Sequence, residues 1–354
     1  GGLEAHDWEQ IQRVLASNTV GIDFLVEEDV FALSGRTAPA DFRRQLELLA
    51  AYLTEAAYRE EALRQARSRF EQLYVSVRHT PEGVIADRVE TFLHRGHWHA
   101  GFPDEAQTMA YTMADVWALL DDALSKGYLE LTVVGDVAWE DARPQVAAVF
   151  GALPERTATP PARPAPRVAM PEGLDVAEFH FPSEIPKGRA MVLWPTTDMI
   201  SDIGLSRRLN LLSRMLGDRL RVRVREELGE GYSPRAYHFG SEIYPGYGRL
   251  TLANTADPER LRANAALLAE VGSSPLQRPF TEDEFVRSHD PLLSFLEEYR
   301  RDNGYWLNRV LANSQARPQL LAWARSMVPD YRGVTVEEIN ALAEEYLDAE
   351  ASLT

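Results

Sequence analysis

The 354-residue sequence predicts an α+β fold of two homologous units, each a mainly antiparallel sheet covered by helices. Three observations predict it. The same succession of strand and helix signals occurs twice, and a proline-rich stretch near the midpoint separates the two series. A composition of 45% hydrophobic and 26% charged residues supplies each half with a core. The resulting division is a first unit over 1–156, a linker over 157–171 and a second unit over 172–354.

In the first half, residues 30–37 (VFALSGRT) read as a strand, and 38–53 (APADFRRQLELLAAYL) place apolar residues at helical spacing after an early proline. In the second half, 249–255 (RLTLANT) and 256–271 (ADPERLRANAALLAEV) repeat that design. Segments 55–77 and 278–300 follow, both acidic at the start and amphipathic afterwards, as the helix dipole and core burial favour. Segments 112–124 (TMADVWALLDDAL) and 335–347 (TVEEINALAEEYL) then open with a threonine N-cap and an acid three residues on. This last pair lies 223 positions apart and the strand pair 218, so the register drifts by only a few residues.

The register extends to the ends. After its last helix, copy one runs into a β-rich segment at 128–136 (YLELTVVGD), whose counterpart would fall beyond residue 352. Copy two opens with strands at 176–181 and 189–194 and a long helix from about 203; their copy-one equivalents would precede residue 1, except for a helix tail near 6–15. The expectation is a piece of a longer polypeptide, its first unit truncated at the N-terminus and its second lacking the final strand.

The balance of 54 acidic to 37 basic side chains, a formal charge of −17, repels a phosphate backbone and argues against nucleic acid as partner. With no cysteine there is no disulfide, thiolate nucleophile or Cys-ligated metal, and the compartment stays open. No apolar run is long enough to span a membrane, and residues 1–4 lack signal-peptide character.

Residues 220–234 (LRVRVREELGEGYSP) carry the most specific signal. A charged helix end turns through glycine into a Tyr-Ser strand, with Arg225 and Tyr232 seven apart. A guanidinium offers a planar fork of donors and a phenol donates to a carbonyl oxygen, so together they can grip a peptide. Plainer roles also fit: Arg225 paired with a neighbouring acid, Tyr232 as an amphipathic strand residue. The segment resembles the metal-free domains of the insulinase/pitrilysin family of zinc metallopeptidases, with secondary agreement in SGRTAPADF, LELTVVGD and VFGALPER. The pattern departs at Val224, in the usual leucine place, and at Pro234, where an apolar residue is commoner.

An active unit of that family needs an HxxEH helix, in which two histidines bind zinc and the glutamate acts as base. The sequence has none. The nearest string, His6 to Gln10, has glutamine in the second histidine's place. His94, His97 and His99 fall in a glycine-bearing loop that resembles a metal-free family segment, Glu71 lacks its histidines, and His180, His238 and His289 stand alone. No catalytic or metal residue is therefore expected in this chain.

The resemblance implies the non-catalytic, C-terminal half of a zinc metalloendopeptidase. It would shape a peptide-binding chamber and present Arg225 and Tyr232 to substrate held at zinc in the N-terminal half, with Tyr232 stabilising the tetrahedral oxyanion. The expected partners are peptide substrates and that catalytic half. Alternatives are an inactive subunit of a heterodimeric zinc peptidase and a non-proteolytic assembly protein of the same fold.

Overall fold

The computed structural model describes residues 1–161, 167–171, 176–228, 233–348 and 352–354. The elements of the first half are α1 (Trp8–Leu15), β1 (Asp23–Val26), β2 (Phe31–Ser34), α2 (Phe42–Thr54), α3 (Glu60–His79), α4 (Pro81–Val84), α5 (Glu90–Leu93), α6 (Glu105–Ala110), α7 (Met113–Lys126) and α8 (Trp139–Phe150). The second half holds β3 (Gly188–Thr196), α9 (Ile203–Leu228), β4 (Arg235–Gly240), β5 (Gly248–Ala256), α10 (Leu261–Gln277), α11 (Glu282–Tyr299), α12 (Asn303–Tyr305), α13 (Gln319–Gly333) and α14 (Val336–Tyr346). Mixed helix and antiparallel sheet is thus the architecture, and no helix among the described residues is long and apolar enough to cross a membrane.

The threonine caps form as the sequence predicts. Thr112 and Thr335 each accept from the backbone N–H three residues on, and Asp115 and Glu338 return the bond to the threonine N–H. Thr281 and Glu284 do the same at the start of α11. π-Helical turns lie at Ile85–Val89 and Trp306–Leu311, a spacing of 221. The left-handed residues Arg95 and Asn313 follow them 218 apart.

By packing, the chain forms two compact units. One contains Gly1–Tyr74, Pro103–Ala162 and Trp306–Ala316; the other contains Val75–Phe102, Arg163–Tyr305 and Arg317–Thr354. Each therefore takes in a segment from beyond the proline-rich stretch. In the first unit β1 and β2 form an antiparallel pair, and Phe42, Leu46 and Ala142 bury the face of α2 against α8. The expected strand at 128–136 is not a strand: Glu130 accepts from the N–H groups of Gln315 and Ala316 at 3.2 and 2.7 Å, and Leu131 packs in the core. β-propensity needs a neighbouring backbone to pair with, and side chain-to-backbone bonds hold this segment instead.

In the second unit the sheet order is β3-β5-β4, all antiparallel, so β4 is an edge strand among the described residues. Ala190, Val192 and Trp194 of β3 and Leu250 and Leu252 of β5 alternate onto the helix-covered face and meet Leu209, Leu212, Leu216 and Leu220 of α9. Residues 176–181, expected as a strand, have no ladder partner among the described residues; Ala177 N–H donates to the Thr354 carbonyl at 2.8 Å. Leu353 bridges Leu193 of β3 with two 2.8 Å backbone bonds.

Candidate functional site

The region around Arg225 is built on α9. Leu209, Leu212, Leu216, Leu220 and Val224 recur at three- and four-residue spacing and are buried, which fixes the helix's rotation against the sheet. The opposite face then carries Arg214, Asp218, Arg221 and Arg225 at the same spacing. Arg225 is exposed in the last described turns of the helix, and it has no ion pair or hydrogen bond among the described residues. Tyr232 lies outside the described residues, in the segment 229–232 that joins α9 to Ser233.

A cleft of about 550 Å³ runs beside this helix face. Its walls are Arg214, Gly217, Asp218 and Arg221 of α9, Pro234 to Tyr237 at the start of β4, and Arg287, Ser288 and Pro291 of α11. Four guanidinium groups thus face one carboxylate. Asp218 accepts from Arg221 and from the Ser288 hydroxyl at 3.2 Å, while Arg287 pairs with Asp283 in the first turn of α11. Arg214 and Arg235 have no hydrogen bond or ion pair among the described residues. Sequence reasoning passed over this cluster: the α9 stripe was readable at helical spacing, whereas Arg235 and Arg287 join it only through packing.

The metal candidates have structural employment. Gln10 closes the α1 capping box on Asp7, and Glu9 pairs with Arg13 at 3.2 Å. His94 bonds the Glu90 carbonyl at 2.8 Å and lies against Tyr247, with ring centroids 4.7 Å apart. The His97 and His99 rings stack at 5.6 Å, and burial, then the neighbouring His97, holds the His99 pKa below its ordinary value. Glu71 is exposed on α3 and His180 is exposed near Glu178. His238 bonds the Thr196 hydroxyl at 3.0 Å, and His289 bonds Asp290 and the Tyr331 carbonyl. Among the described residues no three His, Asp or Glu side chains gather as a metal site, and a neutral glutamine in place of an imidazole is a poor zinc donor, so the residues present do not fit zinc.

A family profile described as the peptidase M16 inactive domain matches residues 110–291. No curated protein matches the chain. Among solved structures, the peptidase M16 inactive domain from Pseudomonas fluorescens is 17% identical with a TM-score of 0.78, over 99% of this chain and 84% of that one. The periplasmic protease PqqL from Escherichia coli is 17% identical with a TM-score of 0.77, over all of this chain and 39% of that one. A mutant of the ferredoxin protease FusC, solved in complex with Arabidopsis ferredoxin, is 13% identical with a TM-score of 0.74, over 99% of this chain and 38% of that one. At these identities the structures carry the fold alone, and the chain spans under two-fifths of PqqL and FusC. The profile covers more than half of the sequence, and on that ground the chain belongs to the peptidase M16 inactive-domain family, the non-catalytic side of the insulinase-type peptidases.

Proposed function

We propose that this chain is the non-catalytic half of an insulinase-like zinc metalloendopeptidase, its two copies divided at 157–171, and that it forms part of a peptide-binding chamber. The observation that carries the reading is the match to the inactive domain, in a chain whose α9 presents Arg225 on its outward face, seven positions before Tyr232 in the sequence. Peptide hydrolysis passes through a tetrahedral oxyanion, and preorganised donors aimed at it are worth more in the transition state than in the ground state. Arg225 would grip a substrate carbonyl with its donor fork and Tyr232 would donate to the oxyanion. Water activation by zinc belongs to the partner half.

The test is turnover by the complete enzyme, with this chain on the same polypeptide or added in trans. Tyr232→Phe should lower kcat by about 10²-fold, as loss of one oxyanion donor does elsewhere, with little change in KM. Arg225→Ala should lower kcat/KM, and Arg225→Lys should restore only part of it. The chain alone should bind no stoichiometric zinc by elemental analysis and cleave no peptide. Chelator-sensitive cleavage by the purified chain would overturn the assignment of roles. A second reading is an inactive subunit paired with a separate active one. Co-purification of a second, HxxEH-bearing polypeptide distinguishes the two.

A further inference from the structure

The cleft beside α9 is lined by charge opposite in sign to the net charge of the chain. The sequence carries 54 acidic and 37 basic side chains, yet the cleft wall has Arg214, Arg221, Arg235 and Arg287 against Asp218 alone. Asp218 and Asp283 occupy Arg221 and Arg287, which leaves Arg214 and Arg235 without a partner of either kind among the described residues. Clustered guanidinium groups in a concave wall repel one another and focus a positive field into the space between them, and a bound anion relieves the first and is drawn by the second.

The shape narrows the class of anion. One wall is the start of β4, whose outer edge has no strand beside it among the described residues. A strand edge presents alternating N–H and C=O groups, which an extended polypeptide pairs with and a small anion does not. The volume of about 550 Å³ is that of a ligand cleft, not of a single-ion site. Arg214 and Arg221 are two turns apart on α9, about 10 Å along the axis, which extended chain covers in about three residues. Arginine forks match carboxylates two bonds at a time.

We propose that this cleft docks the acidic stretch of an extended polypeptide, laid along the β4 edge with its carboxylates on Arg214, Arg235 and Arg221. The inference deepens the reading of α9 as a peptide-handling helix and rests on it. It assigns that helix a preference for substrates carrying Asp or Glu at short intervals, away from the bond that is cut.

The test compares three fluorescent peptides of equal length, Glu-Ser, Gln-Ser and Arg-Ser repeats, binding to the purified 354-residue chain by anisotropy at low and physiological salt. The Glu-Ser peptide should bind at least about tenfold more tightly than the other two, and salt should weaken it. Arg214→Glu with Arg235→Glu should remove that preference, and the milder Arg214→Gln with Arg235→Gln should reduce it while circular dichroism stays unchanged. Arg301→Glu, which alters an exposed arginine paired with Glu298, should leave it in place. Equal affinity for all three peptides, equal loss with Arg301→Glu, or tripolyphosphate binding the cleft while the Glu-Ser peptide does not would overturn the proposal. Turnover of a neutral peptide by the complete enzyme separates the two readings: its loss with Tyr232→Phe, alongside no charge preference here, sinks the cleft alone.

Discussion

The arginines of α9 divide by side. Arg219 points inward, where its guanidinium meets both Glu284 oxygens at 2.8 and 3.0 Å, the Ser274 hydroxyl, and the carbonyls of Arg278 and Pro279, stacked 4.0 Å over the Phe280 ring. It ties α9 to the end of α10 and the start of α11. Truncating one partner of a buried pair strands the other charge, so Arg219→Ala should cost about 3–5 kcal/mol in denaturant unfolding. Hydrogen bonds from Arg219 hold the Glu284 carboxyl at about 2, below its ordinary 4.5, so the stability it contributes is whole above pH 4.5 and is lost as pH falls towards 2. His238 titrates in a different window. Burial lowers its pKa from 6.5 to about 4, so the unfolded chain binds the extra proton between those values and stability falls as pH drops through them. Thermal melts from pH 7 to 4 should show this loss, and His238→Gln should flatten it.

At the scale of elements, the contact between β3 and α10 decides how close helix and sheet can lie. Trp194 is fully buried, with its indole N–H on the Asp348 carbonyl at 3.1 Å, and its ring occupies the space a side chain on Gly272 would need. A Cβ there would sit 2.0 Å from the ring. Alanine would gain about 1 kcal/mol in helix propensity. Overpacking costs about 1–3 kcal/mol and outweighs that gain when neither a helix backbone nor a hydrogen-bonded indole can yield. Gly272→Ala should therefore lower the melting temperature. The double variant with Trp194→Phe, which shortens the ring, should be more stable than the two single losses added together.

For the whole molecule, the exchange of segments matters more than the linker. The second unit includes Val75–Phe102, and within it Arg249 is held between both Glu90 oxygens at 2.6 and 3.0 Å while His94 covers Tyr247. Cutting at 157–171 would leave Arg249 buried without its carboxylate in one piece and Glu130 without the 315–316 backbone in the other. Residues 1–156 and 172–354 produced separately should each lack a cooperative melt, and their co-expression should restore one. Two independent, reversible transitions from the separate pieces would refute this.

Elements that depend on near neighbours were legible in the sequence. The amphipathic period set α2, α9, α10 and α11, threonine with an acid three residues on set the starts of α7 and α14, and β-rich runs set β3 and β5. The missing HxxEH helix and the seven-residue spacing of Arg225 to Tyr232 were equally plain. Only tertiary structure decided that 128–136 would form no strand ladder among the described residues, that 75–102 would pack in the second unit, and that Arg235 and Arg287 would join the α9 stripe around one cleft. A helix or cap forms from interactions a few residues long, which sequence pattern records. A cleft forms where surfaces distant in sequence are brought together by burial, and no local pattern encodes which charges will meet there.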